Sequence, residues 1–502
     1  MKEELKGKEV LAMYDVRGIQ DYVFKTNKVK EIIGASIIID DIILGGLKEY
    51  AKDEDADLYL TNWKKDSVDA FIKEGSNVLM QVMFIGGGNA YVLFKTGEEC
   101  EKVNHFLGKY VLEKTYSLNL AVAVVEKTGS YKNDYNAINV EMRRIKACMP
   151  CVMPVGAFPF MNADSITGYP ITDFYNGEYL CRESFLKRKA CDKFGHENNA
   201  LEYQADVLDD LVTKKGDNST LALIHMDGNS LGKRIMNVMS GVEDYPNAIS
   251  IMRRLSGGID DTFKKTFNLM TEKMSQLSDK PWYRKIVLAG DDITFICNGK
   301  LALKAVDCFL KELNKQNAEF MGNDEILTAC AGIAYCNSHF PFSDAYKTAE
   351  ACLENAKSKA KQKNHSLNDG QLIGNYVDFQ LCSNVNSSNL DNYRDKHYMI
   401  DNEYFISRPY YVDVENDKGL NNVNMNCSYK LFENASEVLA DIPRNVSKEI
   451  RGIIPLGNNE IEKEINFLLS RGYDFKDLKD NKGIYYDALE LLDLRLETRH
   501  ED

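Results

Sequence analysis

The sequence predicts an α/β fold (α+β in its segregation of helices) made of two copies of one unit, followed by a helical region. Three observations predict it. The order of elements repeats after about 200 residues. Each copy holds an apolar hairpin with a tight, glycine-bearing turn, Gly86-Gly-Gly-Asn89 in one and Ala289-Gly-Asp-Asp292 in the other. Each copy also opens on an apolar strand that ends near an aspartate, Asp15 or Asp227.

Taken in order, residues 9–16 (Glu-Val-Leu-Ala-Met-Tyr-Asp-Val) read as a strand, with helical patterns to about residue 52. Val78–Ile85 and Ala90–Phe94 form the first hairpin, and a helix near 98–115, a strand at Leu120–Val125 and a helix near 132–147 complete the unit. In the second copy, the strand Leu221–Asp227 leads through helices to the hairpin strands around Gly290, then a helix at about 301–318, a strand at Leu327–Tyr335 and a helix near 343–361. Superposing the hairpins matches Asp15 with Asp227 and Gly88 with Asp291. The predicted boundaries are 1–147 for the first unit, 148–218 for a small cysteine-containing and helical module with a helix near 199–213, and 219–365 for the second unit. A polar connecting region over 366–424 and a C-terminal helical domain over 425–502 follow, the latter marked by Ile461, Ile465, Leu468 and Leu469 on one helical face.

The chain has 502 residues, enough for three or four domains. Its 44% hydrophobic and 27% charged residues are those of an ordinary folded protein. With 62 basic against 76 acidic residues the net charge is -14, which opposes broad binding along a phosphate backbone but leaves small phosphorylated ligands open. No apolar run approaches the roughly 20 residues that span a bilayer, and the 12 cysteines are mostly single and set in apolar stretches. A cytoplasmic protein is expected.

The acidic turn carries the chemistry. A strand ending in Asp227 beside a hairpin bearing Asp291 and Asp292 brings three carboxylates towards one point, where they raise one another's pKa. Magnesium or manganese resolves that conflict, and two such ions could serve phosphoryl transfer at Asp227, Asp291, Asp292 and the Gly228 carbonyl. Gly228, Asn229, Ser230 and the helix after them offer donors to phosphate oxygens. Lys357 and, one turn on, Lys361 sit on the helix after the last strand, positioned to reach phosphate. The other hairpin, Gly86, Gly87, Gly88 and Asn89, has no carboxylate, and the resemblance described next implies that it binds a nucleotide without catalysing.

These residues resemble the palm domains of the large polymerase/cyclase subunit of type III CRISPR complexes, a family related to GGDEF cyclases. Asp15-Val-Arg-Gly-Ile-Gln-Asp-Tyr-Val-Phe24 is similar to that family's first-palm entry, and Gly34-Ala-Ser36 to its nucleotide-contacting turn. His225-Met-Asp-Gly-Asn-Ser-Leu-Gly232, Ala289-Gly-Asp-Asp292, Ala331-Gly-Ile-Ala334, His339-Phe-Pro-Phe342, Ala349 to Lys357 and Arg408-Pro-Tyr410 continue the likeness. The resemblance implies two ferredoxin-like palms and a second-messenger cyclase. ATP held at the first palm, with Gly18, Gln20 and Ser36 as further contacts, would attack ATP held at the Asp227, Asp291 and Asp292 site, giving a cyclic oligoadenylate-type product. CRISPR effector subunits and RNA are the implied partners. A GGDEF-like cyclic dinucleotide synthase and a non-catalytic nucleotide-binding scaffold are the alternatives. Three departures from the family stand out. No His-Asp dipeptide marks an HD nuclease, so a compact form without DNA cleavage is expected. Ala289 replaces a hairpin glycine. The family's paired CxxC zinc ligands are reduced to Cys148, Cys151 and Cys181, with Ser184 at the fourth place and Cys191 as a substitute, so zinc is not counted among the expected cofactors.

Overall fold

The computed structural model describes residues 3–54, 57–86, 88–149, 156–197, 211, 219–278, 281–316, 318–321, 326–362, 365–367, 370–372, 374–382, 390–412 and 427–494. Gly87, Cys151 and nearly all of the helix expected near 199–213 lie outside them.

Alternation of apolar and polar residues gives way to helical periodicity where the sequence says it should. The first unit runs β1 (Val10–Arg17), α1 (Ile19–Phe24), α2 (Val29–Asp53), β2 (Tyr59–Leu60), β3 (Met80–Gly86), β4 (Asn89–Phe94), α3 (Gly97–Thr115), β5 (Asn119–Glu126) and α4 (Tyr131–Cys148). The intervening module adds the hairpin β6 (Ile171–Tyr175) and β7 (Glu178–Cys181) and the helix α5 (Arg182–Glu197). The second unit runs β8 (Thr220–Gly228), α6 (Leu231–Met239), α7 (Tyr245–Ser275), β9 (Tyr283–Ala289), β10 (Asp292–Asn298), α8 (Ala302–Lys315), β11 (Ala329–Asn337) and α9 (Phe342–Gln362). Beyond it lie a short hairpin β12 (His365–Leu367) and β13 (Gly370–Leu372), β14 (Tyr376–Leu381), α10 (Leu390–His397), β15 (Met399–Ile400), β16 (Glu403–Tyr404) and β17 (Tyr410–Tyr411). Four helices close the chain, α11 (Tyr429–Ala440), α12 (Arg444–Ile453), α13 (Asn458–Ser470) and α14 (Lys482–Glu490). Among the described residues no helix is long and apolar enough to cross a membrane.

The duplication is visible in the sheets. One orders its strands β2-β3-β4-β1-β5, the other β17-β14-β11-β8-β10-β9. Within each, four strands keep the same neighbours: β3-β4-β1-β5 corresponds to β9-β10-β8-β11, with the hairpin on one side of the opening strand and the last strand on the other. The stretch expected as a polar connecting region departs from that expectation. Its β14 pairs parallel with β11 and antiparallel with β17, extending the second sheet, because Tyr376-Val-Asp-Phe-Gln380 is buried on both faces rather than solvated.

Among the contacts that fasten one palm to the other, two lie close to the hairpins and α1. On α7, a helix started by an Asp244 side chain that accepts from the Asn247 N–H, Arg253 turns its guanidinium to the first sheet. It donates to the carbonyls of Met83, Val82 and Asp66, at 2.7, 3.2 and 2.5 Å. The β3–β4 register shifts between Val82 and Phe84, and a bulge of this kind leaves carbonyls without ladder partners, which the guanidinium supplies. Ser256, one turn on, donates to the Ile85 carbonyl at 2.8 Å, beside Gly86. The second contact joins α1 to α9 through stacked rings described below.

The C-terminal helices are tied in by Arg408, whose buried guanidinium bonds Asp487 at 2.9 Å and Glu490 at 2.7 Å, while the Tyr410 hydroxyl donates to Asp487 at 2.6 Å. Asp487 and the Arg408 side chain are fully buried. Removing one partner of such a pair leaves the other charge buried and uncompensated. Asp487→Ala is therefore expected to cost about 3–5 kcal/mol of stability, read as a lowered denaturant midpoint.

Candidate active site

Asp227 is the last but one residue of β8, and Ile293 of β10 pairs with Met226, so the next step of the ladder sets Asp292 opposite Asp227. Residues opposite each other in an antiparallel pair point to the same face. Ala289 pairs with Asp292, leaving Gly290 and Asp291 as a two-residue loop. Gly290 has φ +62°, a left-handed conformation that suits glycine at the first place of such a loop. The turn swings Asp291 back over β8: a Cβ added at Gly228 would lie 3.1 Å from Asp291 Oδ2.

Like charges this close are opposed. Burial first, then the Asp227 carboxyl beside it, push Asp291 up to about 7. Lys357, facing the sheet from α9, bonds Asp227 Oδ2 through its ammonium. Burial works to lower its pKa, but the charge of Asp227 and the bond to it leave it raised. Asp292 Oδ1 lies 3.1 Å from His225 Nε2. Among the described residues no three acidic, histidine or cysteine side chains are already gathered about one metal position.

The first palm repeats this frame without its acids. Asp15 lies opposite Asn89, as Asp227 lies opposite Asp292. Lys146 of α4 bonds Asp15, separated from it by 131 residues where Lys357 and Asp227 are separated by 130. Gly18 and Ser230, each three residues past its aspartate, both cap the next helix in a left-handed conformation, φ 73° and 56°. Sequence reading found Asp15 but missed Lys146 and did not assign His225 a role. The near-equal aspartate-to-lysine spacing was the available signal for Lys146; for His225 there was none beyond its place two residues before Asp227.

The remaining expected residues divide. Gly18 and Gln20 are exposed at the start of α1, and Gly88 and Asn89 lie at the hairpin tip with Ile19 packed beside Gly88, so the start of α1 and this tip lie together. Gly86 ends β3 next to the Ser256 contact. Ser230 sits at the opening of α6, partly exposed. Asn229 is turned inward: its side-chain amide donates to Thr328 Oγ1 and to the Gly374 carbonyl, both at 3.1 Å. Lys361 is exposed in the last turn of α9. Gly34-Ala-Ser36 does not form a turn. It lies within the 25-residue helix α2, with Ser36 buried, because the apolar run from Ile32 to Ile43 continues through it at helical spacing. Of the cysteines, Cys148 is exposed, Cys181 bonds Ser184, and Cys191 is buried against Val29 and Ile33.

Charges from both palms act on one side chain of α9. The Glu350 carboxyl, on α9, is raised by burial, with Asp21 of α1 and Asp292 of the acidic hairpin both adding to that rise.

Residues 220–366, from β8 to just past α9, match the family described as Cas10/Cmr2, second palm domain. In this stretch the chain is similar to a Cas10/Cmr2 second palm. Around this Cas10-type palm the rest of the chain also follows a known architecture. It superposes on the crystal structure of a Csm1-Csm4 cassette in complex with cA4, with a TM-score of 0.52 and 13% identity over 98% of this chain and 70% of that one. A cassette in complex with AMPPNP gives 0.51 and 14%, over 97% and 70%, and an apo cassette 0.51 and 13%, over 99% and 71%. At such identities the likeness is one of fold. No curated protein matches.

Without divalent cation, the Asp291 shift predicts a pH dependence. A carboxyl whose pKa rises from 3.8 unfolded to about 7 folded keeps its proton longer in the folded state, so stability falls as pH rises through that window and levels off above it. Thermal unfolding in chelator is expected to show this decline in the native sequence and a flatter profile in Asp291→Asn.

Proposed function

We propose that this chain joins ATP into cyclic oligoadenylate-type products, with chemistry at the second palm and the acceptor nucleotide held by the first. The observation that carries the reading is the asymmetry of the duplicated frame. Both palms keep the aspartate, its lysine and the left-handed cap, yet Asp291 and Asp292 stand in one turn where the other has glycine and asparagine. The Cas10-type second palm, and the cA4 and AMPPNP bound by cassettes of like fold, support it.

The residues present fit a divalent cation. Asp227 and Asp292 lie side by side on one face of the sheet with Asp291 turned back over β8, and burial together with the neighbouring Asp227 charge raises Asp291. Asp227, Asp291 and Asp292 would hold magnesium or manganese, which when bound supplies charge neutralisation at the transferring phosphate and activation of the attacking hydroxyl. Lys357 meets the same negative charge from α9, so its ammonium is positioned to exchange Asp227 for a phosphate oxygen. Ser230 and the start of α6 present backbone donors on that side. Across the cleft, Gly18, Gln20 and the Gly88–Asn89 tip hold the acceptor so that its 3′-hydroxyl faces the α-phosphate. Lys146 keeps Asp15 neutralised there, consistent with a palm that binds and does not activate. A partner subunit, as Csm4 is for Csm1, and RNA would regulate the chain.

Incubation with each of the four nucleoside triphosphates and magnesium or manganese, followed by mass spectrometry, tests the proposal. Adenylate products are expected from the native chain, with or without added partners. Asp291→Asn combined with Asp292→Asn is expected to lose at least about 100-fold in product formation while retaining its circular dichroism. Undiminished pyrophosphate release from the double variant would overturn the active site.

A further inference from the structure

Between the palms lies an aromatic stack that phosphoryl transfer as argued above does not use. The Phe24 ring, at the end of α1, lies 3.6 Å from that of Tyr346 between centroids, at 16°. Tyr346 in turn faces His225 at 5.2 Å and 30°. His225 ends the series with Nε2 at 3.1 Å from Asp292 Oδ1. All three rings are buried, with 5%, 3% and 4% of their surface exposed. The start of α9, which carries Tyr346, is held to the first palm as well: Asn27 Oδ1 accepts from the Phe342 N–H at 2.9 Å.

Satisfaction of the imidazole decides the sense of the last bond. His225 Nδ1 is buried without a hydrogen-bond partner. A hydrogen placed there would be an orphaned donor and would turn the Nε2 lone pair against a carboxylate; placed on Nε2 it meets an acceptor. Nε2–H therefore donates to Asp292. The Asp292 side chain is 40% exposed, so nothing in its packing alone prevents its carboxyl from rotating. The imidazole that restrains it packs at a tilt against Tyr346, and Tyr346 stacks on Phe24.

We propose that Phe24, Tyr346 and His225 are positioning residues that fix the Asp292 carboxylate and tie its orientation to α1, the helix that begins beside Gly18 and Gln20. This rests on the reading of Asp292 as part of the active site. Ligating carboxylates are commonly held by such outer partners, whose loss costs about 10–100-fold in metal affinity or activity. The consequence specific to this fold is that a first-palm side chain touching neither nucleotide nor acid contributes to the second palm's chemistry.

The test uses the full chain and four variants. His225→Phe keeps a ring in the stack and removes the donor; His225→Gln keeps a donor; Phe24→Leu keeps apolar bulk and removes the ring; Asp292→Asn is the control. Thermal midpoint, Mn2+ affinity by electron paramagnetic resonance, and kcat and KM for ATP are measured on each. The Mn2+ measurement needs no turnover. His225→Phe is expected to lower Mn2+ affinity and kcat by about 10–100-fold, with a smaller change in KM and in the thermal midpoint. His225→Gln should recover most of that loss, and Phe24→Leu should fall between. If His225→Phe keeps native Mn2+ affinity and kcat while Asp292→Asn has lost them, His225 is a packing residue and the inference fails with the active site intact. If only Phe24→Leu behaves as native, the link to the first palm is overturned. If Asp292→Asn itself retains Mn2+ affinity and product formation, the active-site reading falls, and this inference with it.

Discussion

The pairing register of β8 with β10 is the constraint on which the rest depends. A slip of one residue would turn Asp292 to the opposite face of the sheet and separate it from Asp227, because side chains alternate along a strand. Both faces of the pair are packed, with Ile293, Phe295 and Ile296 on β10 and Leu223, Ile224 and Met226 on β8 all within the core, so a slip would mismatch side chains on both sides of the sheet. The two-residue loop then leaves Asp291 little choice of position. The first palm uses the same register to bring Asp15 opposite Asn89, so one strand pairing serves both halves, with Gly88 and Asn89 in one where Asp291 and Asp292 stand in the other.

What faces what across the cleft is settled by packing between the palms. Arg253 fills the irregularity in β3 with charge-assisted hydrogen bonds, and Ser256 adds one more beside the carboxylate-free hairpin. At the other side of the cleft, α1 and α9 meet through stacked rings. Neither contact involves a residue of the acidic turn. The buried Arg408, Asp487 and Glu490 cluster performs a similar service for the C-terminal helices, anchoring them on the strands that extend the second sheet.

Much of the fold was legible because its signals are local. The strand around Tyr14, the hairpins at Gly88 and Gly290, and the helices over Gly97–Thr115 and Phe342–Gln362 fall within a residue or two of where periodicity put them. Local signals misled where apolar residues ran on. Gly34-Ala-Ser36 looked like a turn for its small residues and is helix, and Tyr376–Leu381 looked like part of a polar connection and is a buried strand. Asn229 was chosen for its donors, which the fold spends on Thr328 and Gly374.

By itself the sequence determined the make-up of the candidate site: a duplicated α/β unit, three carboxylates in one copy and none in the corresponding turn of the other, and a lysine on the helix that follows. These follow from residue type and spacing, which chain connectivity preserves. The tertiary structure alone decided the pairing of Lys146 with Asp15, the bond from His225 to Asp292, and the stack that carries Phe24 of one palm to His225 of the other. Those partners are separated by tens to hundreds of residues, and no local periodicity encodes which buried side chains will meet when two sheets and their helices pack together.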